Sequence, residues 1–91
     1  MTADGAMAVP QIAPGLIWRV VDGNIVIVSP TAGDVHVFSQ TGSDIWQLLA
    51  DRNDVRAIES YLVQKYIVTD ERAHEDVANF IQELRMLGLL Q

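Results

Sequence analysis

The sequence predicts an α+β domain in which a small three-stranded antiparallel sheet precedes three helices that cover it. Three observations carry this. Asp22-Gly23-Asn24 interrupts the β-branched run LIWRVVDGNIVIV (residues 16–28), which is a tight-hairpin signature. The turn-rich stretch Ser29-Pro30-Thr31-Ala32-Gly33-Asp34 then leads into a third short run, Val35–Phe38. From Ser39 onward, apolar residues recur at helical rather than alternating spacing.

Residues 1–15 hold Ala, Gly and two prolines, Pro10 and Pro14, and predict a flexible N-terminal arm ahead of a domain at 16–91. Strand one is expected at about 16–21, strand two at about 24–28 and strand three at 35–38. As the last strand of a meander, strand three leaves one edge free. Ser39 stands where an N-cap belongs, its hydroxyl able to accept a first-turn N–H. Helix one follows over about 40–50 with Ile45, Trp46, Leu48 and Leu49 inward. Asn53 or Asp54 caps helix two, about 54–66, with Val55, Ile58 and Leu62 inward and Tyr61 and Tyr66 as further candidates. Thr69 or Asp70 begins helix three, whose stripe is Ala73, Val77, Phe80, Ile81, Leu84 and Leu87. Asp70 and Glu71 in its first turn suit the positive end of the helix dipole. Gly88 is a C-terminal stop, and Met86, Leu89 and Leu90 close the core.

Composition narrows the function. A chain of 91 residues is one domain. It buries only about 60–65% of its unfolded surface, too little to spare a deep enzyme pocket. The net charge of −6 disfavours nucleic acid, and the six basic residues are scattered singly. With no cysteine, disulfides and thiolate sites are excluded. The N-terminus lacks a signal-peptide pattern and no apolar run approaches the ~18–20 residues of a membrane span. These features predict a cytoplasmic protein with no membrane or nucleic-acid partner.

Candidate chemistry is sparse. His36 and His74 are the only histidines and lack the convergent carboxylates a metal site needs. Ser39, Thr41 and Ser43 are explained by capping and first-turn positions rather than by a nucleophile with its base. Gly33 and Gly42 do not form a phosphate loop. Asp70, Glu71, Glu75 and Asp76 form a solvated helix start, with Arg72 and Asp76 spaced to pair at i,i+4. Asp76, beside the stripe residue Val77, borders core and water and is the acid best placed to receive a basic or polar group of a partner.

The stretch VHVFSQTGSDIW (35–46) resembles PqqD and its relatives, the recognition elements of ribosomally made, post-translationally modified peptides. The matching residues are Ser39, Thr41, Gly42, Ile45 and Trp46. Ser39 replaces the family's usual Asn and can do the same capping. The likeness continues in YLVQKY (61–66) and in EDVANFIQELRMLGLL (75–90), with Asp76, Val77, Leu84, Leu87, Gly88, Leu89 and Leu90. It spans about 16–90. Ala50-Asp51-Arg52-Asn53 departs from the family's Asp-Gly, and the Cys found near there in many PqqD proteins is absent. The departures favour a free-standing recognition protein of another peptide pathway, of the lasso-peptide or radical-SAM kind, with PQQ formation kept as a third pathway.

What the resemblance implies is a winged helix-turn-helix-like fold without catalysis, cofactor or metal. Such a protein binds the leader of a precursor peptide between strand three and helix three. It then presents the leader to a modifying enzyme, whether a radical-SAM enzyme or a leader peptidase or cyclase. The leader adds as a further antiparallel strand. The residues expected to border it are Val35, His36, Val37, Phe38, Arg72, Ala73, Asp76, Val77, Phe80 and Glu83, with either face of strand three turned to the peptide. The alternatives are a winged-helix DNA-binding regulator, which the acids of helix three disfavour, and a structural subunit without a peptide ligand.

Overall fold

Asp22 and Gly23 both adopt positive φ, 52° and 83°, as a two-residue hairpin of matching twist requires. They join β1 (Ile17–Val21) to β2 (Asn24–Ser29), and β3 (Asp34–Val37) completes an antiparallel sheet of order β1-β2-β3. The computed structural model describes residues 9–29 and 33–91. Residues 30–32 of the predicted turn at 29–34 and residues 1–8 of the arm lie outside the described residues. Phe38, expected in strand three, follows β3 instead, and Asp34 begins it.

The register sorts the side chains onto two faces. Trp18, Ile27 and His36 lie across from one another, and Ile17–Val28–Val35 and Arg19–Val26–Val37 form the next rows on the opposite face. Ile25 and Ile27 are fully buried, whereas Val35 and Val37 are 62% and 67% exposed. Full burial of one large aliphatic side chain stabilises by about 1.5–3 kcal/mol. A one-residue slip would bring Val26 and Val28 inward and expel both isoleucines, so the core holds the register.

Each helix starts on the side chain that caps it. Ser39 Oγ accepts from Gly42 N–H (3.2 Å) at the head of α1 (Gln40–Ala50). Asp54 Oδ1 accepts from Ala57 N–H (2.8 Å) at α2 (Val55–Tyr66), so Asp54 rather than Asn53 is the cap. Asn53 instead donates its Nδ2 to Leu48 O (3.0 Å) and closes the end of α1. Thr69 Oγ1 accepts from Arg72 N–H (3.1 Å) at α3 (Asp70–Met86). Ile67 ends α2 in the left-handed region, φ 51°, and is almost wholly exposed. That conformation costs a β-branched residue about 1–2 kcal/mol, and it turns the chain sharply from α2 into α3.

Trp46 is the centre of the core, fully buried, with edge-to-face contacts to Trp18 (6.1 Å between centroids) and Phe38 (5.8 Å). Ile45, Leu49, Ile58, Leu62, Ala73, Val77, Ile81 and Leu84 complete it from the three helices. The helix-three stripe is interrupted at two places: Phe80 is half-buried and Leu87 is exposed. Tyr61 and Met86 also face solvent, while Leu89 and Leu90 are buried as expected. Residues 11–13 run beside the C-terminus: Ala13 N–H donates to Leu89 O (3.0 Å), Gln91 N–H to Gln11 O (2.8 Å), and Ile12 bridges Leu90. This part of the predicted arm is therefore tied to the domain. No helix among the described residues is long and apolar enough to cross a membrane.

Candidate functional site

The end of β3 is anchored by three hydrogen bonds. Phe38 N–H donates to Ile25 O (3.0 Å) and Asn24 Nδ2 donates to Phe38 O (2.7 Å). Ile25 N–H, left without its strand partner, donates to the buried Ser43 Oγ (2.8 Å). Sheet and α1 are thereby locked together. Ser43 is 1% exposed, so its hydroxyl satisfies a donor that water cannot reach.

The Phe38–Ile25 bond also fixes the parity of β3. Residues of an antiparallel pair alternate between facing their partner with both backbone groups and turning both away. Phe38 faces β2, so His36 does too. Val35 and Val37 then turn their N–H and C=O groups to the free edge. Their side chains stand on the outer face of the sheet, while His36 and Phe38 stand on the helix side.

On the helix side, β3 and α3 are not packed along one another; α3 lies chiefly on α2, and α1 on β2. Just past β3, Phe38 meets Phe80 of α3 edge-to-face with centroids 5.2 Å apart. Gly42 makes this contact possible. A Cβ there would lie 3.1 Å from Phe80 Cζ and 3.4 Å from Phe38 Cβ. Phe38, just past β3, and Phe80 of α3 thus stand against each other beside the first turn of α1.

The predicted site residues divide by burial. His36 and Phe80 are half-buried, Asp76 is partly exposed, and Arg72 and Glu83 are exposed. Phe38 is nearly buried, packed against Phe80 and Trp46. Ala73 and Val77 have no exposed surface and belong to the core, so α3 presents Arg72, Asp76, Phe80 and Glu83 instead. The core claims positions 73, 77, 81 and 84, and the residues between them are left to the surface. Arg72 Nε pairs with Asp76 Oδ2 at 3.2 Å, as the i,i+4 spacing predicts.

One feature was not visible in the sequence. Thr41, Leu62, Tyr66, Val68 and Asp76 line a cavity of about 280 Å3 beyond the C-terminal end of β3. Tyr66 donates its hydroxyl to Asp44 Oδ2, which also receives Lys65 Nζ at 2.7 Å. Burial raises the Tyr66 pKa, the hydrogen bond to Asp44 adds to this, and Thr41 opposes it. The bond to Asp44 raises the pKa of Lys65 as well. Thr41 and Tyr66 lie in two of the family-like stretches, where Thr41 read as a first-turn hydroxyl and Tyr66 as a candidate for the inward face. Elsewhere His74 Nδ1 meets Glu59 Oε2 at 2.8 Å and ties α3 to α2. Among the described residues, no three His, Cys, Asp or Glu side chains are grouped to hold a metal ion.

The fold is a winged helix-turn-helix-like α+β module in which β3 is an edge strand of the sheet. The family model described as coenzyme PQQ synthesis protein D (PqqD) matches residues 24–90, and the chain belongs to that family. Two solved structures share the fold. One is described as TbiB1 in complex with the TbiA(beta) leader peptide: 22% identity, TM-score 0.86, covering 89% of this chain and 94% of that one. The other is a lasso peptide synthetase B1 complexed with the leader peptide: 21% identity, TM-score 0.86, covering 92% of this chain and 99% of that one. No curated protein matches the sequence.

Proposed function

We propose that this protein is a non-catalytic, cytoplasmic recognition element that binds the leader of a ribosomally made precursor peptide and presents it to a modifying enzyme. The leader adds to β3 as a fourth, antiparallel strand. The observation that carries this reading is the β3 edge: Val35 and Val37 turn their backbone groups outward, with the Phe38–Phe80 pair just past the strand's end. Backbone pairing supplies affinity, and side-chain pockets supply selectivity. Further support comes from PqqD-family membership and from two fold relatives described with leader peptides.

On this reading, His36, Phe38, Arg72, Asp76, Phe80 and Glu83 border the peptide's helix-side residues, and Val35 and Val37 its outward ones. Ordering a free leader costs about 2–5 kcal/mol of the gross interaction, so moderate affinity and ready release after modification are expected. The partner enzyme is of the lasso-peptide, radical-SAM or PQQ type. A DNA-binding role is disfavoured by the exposed acids of α3, Glu71, Glu75 and Glu83.

The test is a fluorescence-anisotropy titration with the labelled leader of the precursor encoded nearest this gene. Saturable binding, lost when the leader is scrambled, is the expected result. Absence of binding to the folded protein up to high micromolar concentration overturns the reading.

A further inference from the structure

The Thr41–Tyr66–Asp76 cavity has a composition that selects its guest. Leu62 and Val68 supply apolar wall, and Leu62 is 2% exposed. The polar groups at the cavity are chiefly acceptors. Asp76 offers a carboxylate with about four lone-pair sites, of which Arg72 Nε uses only part, at 3.2 and 3.3 Å. Tyr66 has committed its proton to Asp44, so its oxygen has only lone pairs left to offer. The Thr41 hydroxyl can accept as well. Acceptor capacity at the cavity therefore exceeds donor capacity, which rests on the Thr41 hydroxyl alone. A cation on an aliphatic stem satisfies both surfaces at once, with its methylenes on Leu62 and Val68 and its charge on Asp76. The net charge of −6 favours the same guest. Its volume of about 280 Å3 far exceeds the roughly 30 Å3 share of one water. The existing Arg72–Asp76 pair is exposed, and such pairs contribute little, so a second cation shares the carboxylate at small cost.

Place agrees with chemistry. Asp76 stands one helical turn before Phe80 on α3, and Thr41 adjoins Gly42, which touches Phe80. Thr41 follows the last residue of β3 by four, so the cavity lies off the C-terminal end of that strand. A strand antiparallel to β3 enters from that end, so the residue reaching the cavity precedes the paired segment. We infer that the cavity is a subsite for one lysine or arginine side chain of the bound peptide, just N-terminal to the residues that pair with β3. This rests on the leader-binding reading and adds to it a second, electrostatic determinant.

The experiment has two arms. In the first, methyl NMR follows the whole protein during titration with n-butylammonium and, separately, with n-butanol. Saturable shifts centred on Leu62 and Val68 are expected with the cation and not with the alcohol. They should weaken about 3- to 10-fold in Asp76→Asn, as for removal of a partly exposed charged hydrogen bond. In the second arm, the leader is titrated into wild type and Asp76→Asn, with its basic residue intact or changed to Gln. Losses that do not add mark a direct pair. Equal shifts with cation and alcohol, or no local shift, overturn the subsite. A leader that binds wild type and Asp76→Asn alike overturns it too, while leaving leader recognition standing. A leader that binds neither, beside a cation that still saturates the cavity, overturns leader recognition and with it the peptide occupant.

Discussion

Val37→Pro separates the β3 edge from the rest of the molecule. Val37 is 67% exposed and turns its N–H to the free edge, so proline removes no bond within the sheet. Its fixed φ fits a strand, and the preceding His36 is already extended. Stability should therefore change by less than about 1 kcal/mol. A docked peptide loses one of the two outward donors, Val35 and Val37. One net hydrogen bond contributes about 0.5–1.5 kcal/mol, which converts to an increase in leader Kd of about 2- to 13-fold. The pyrrolidine ring at the pairing line adds a steric term of the same sign. His36→Pro is the matched control: its N–H faces β2, so the same substitution breaks the sheet and costs about 1–3 kcal/mol of stability. The assays are urea unfolding of both variants and anisotropy titration of the folded one. A folded Val37→Pro protein with unchanged leader affinity would refute strand addition at this edge. Destabilisation by Val37→Pro with His36→Pro tolerated would refute the parity itself.

Other consequences can be checked separately. Ser43→Ala strands the buried Ile25 N–H and should cost about 1–3 kcal/mol, lowering Tm by around 10 °C in calorimetry; a shift under 2 °C would mean another acceptor serves that donor. Gly42→Ala gains about 1 kcal/mol of helix propensity but drives its Cβ against the Phe80 ring, so stability should stay nearly level while leader affinity falls several-fold. Affinity as in wild type would show that Phe80 does not border the peptide. Tyr66 has its pKa raised above 10.0 in the fold, so the unfolded chain ionises first. Its contribution is complete below pH 10 and is lost as pH rises through the folded value, and Lys65, raised from 10.5, acts in the same direction. Urea midpoints should fall more steeply above pH 10 in wild type than in Tyr66→Phe; parallel curves would remove the phenol from that account.

The elements of this protein are written in short-range chemistry. Asp22-Gly23 makes the hairpin, and Ser39, Asp54 and Thr69 start the helices, because each acts on backbone within three residues of itself. The spacing of Ile45, Trp46 and Leu49, and of Ala73, Val77, Ile81 and Leu84, marks the buried faces for the same reason. The motif around Ser39–Trp46, together with the stretches at 61–66 and 75–90 in that order, points to the PqqD family, whose model matches residues 24–90. The division of labour within the site was only partly legible. Ala73 and Val77 were legible as core from spacing, while the family resemblance also set them beside the peptide; packing gives both wholly to the core and leaves Phe80 half-buried. The outward parity of Val35 and Val37 hangs on one bond between residues 38 and 25. A strand's own sequence does not say which of its backbone groups its neighbour will take. The cavity assembles Thr41, Leu62, Tyr66, Val68 and Asp76 from across the helical half of the chain, and residues 11–13 find their partners at 89–91. Contacts at that separation exist only once the chain has closed on itself, so they belong to the tertiary structure alone.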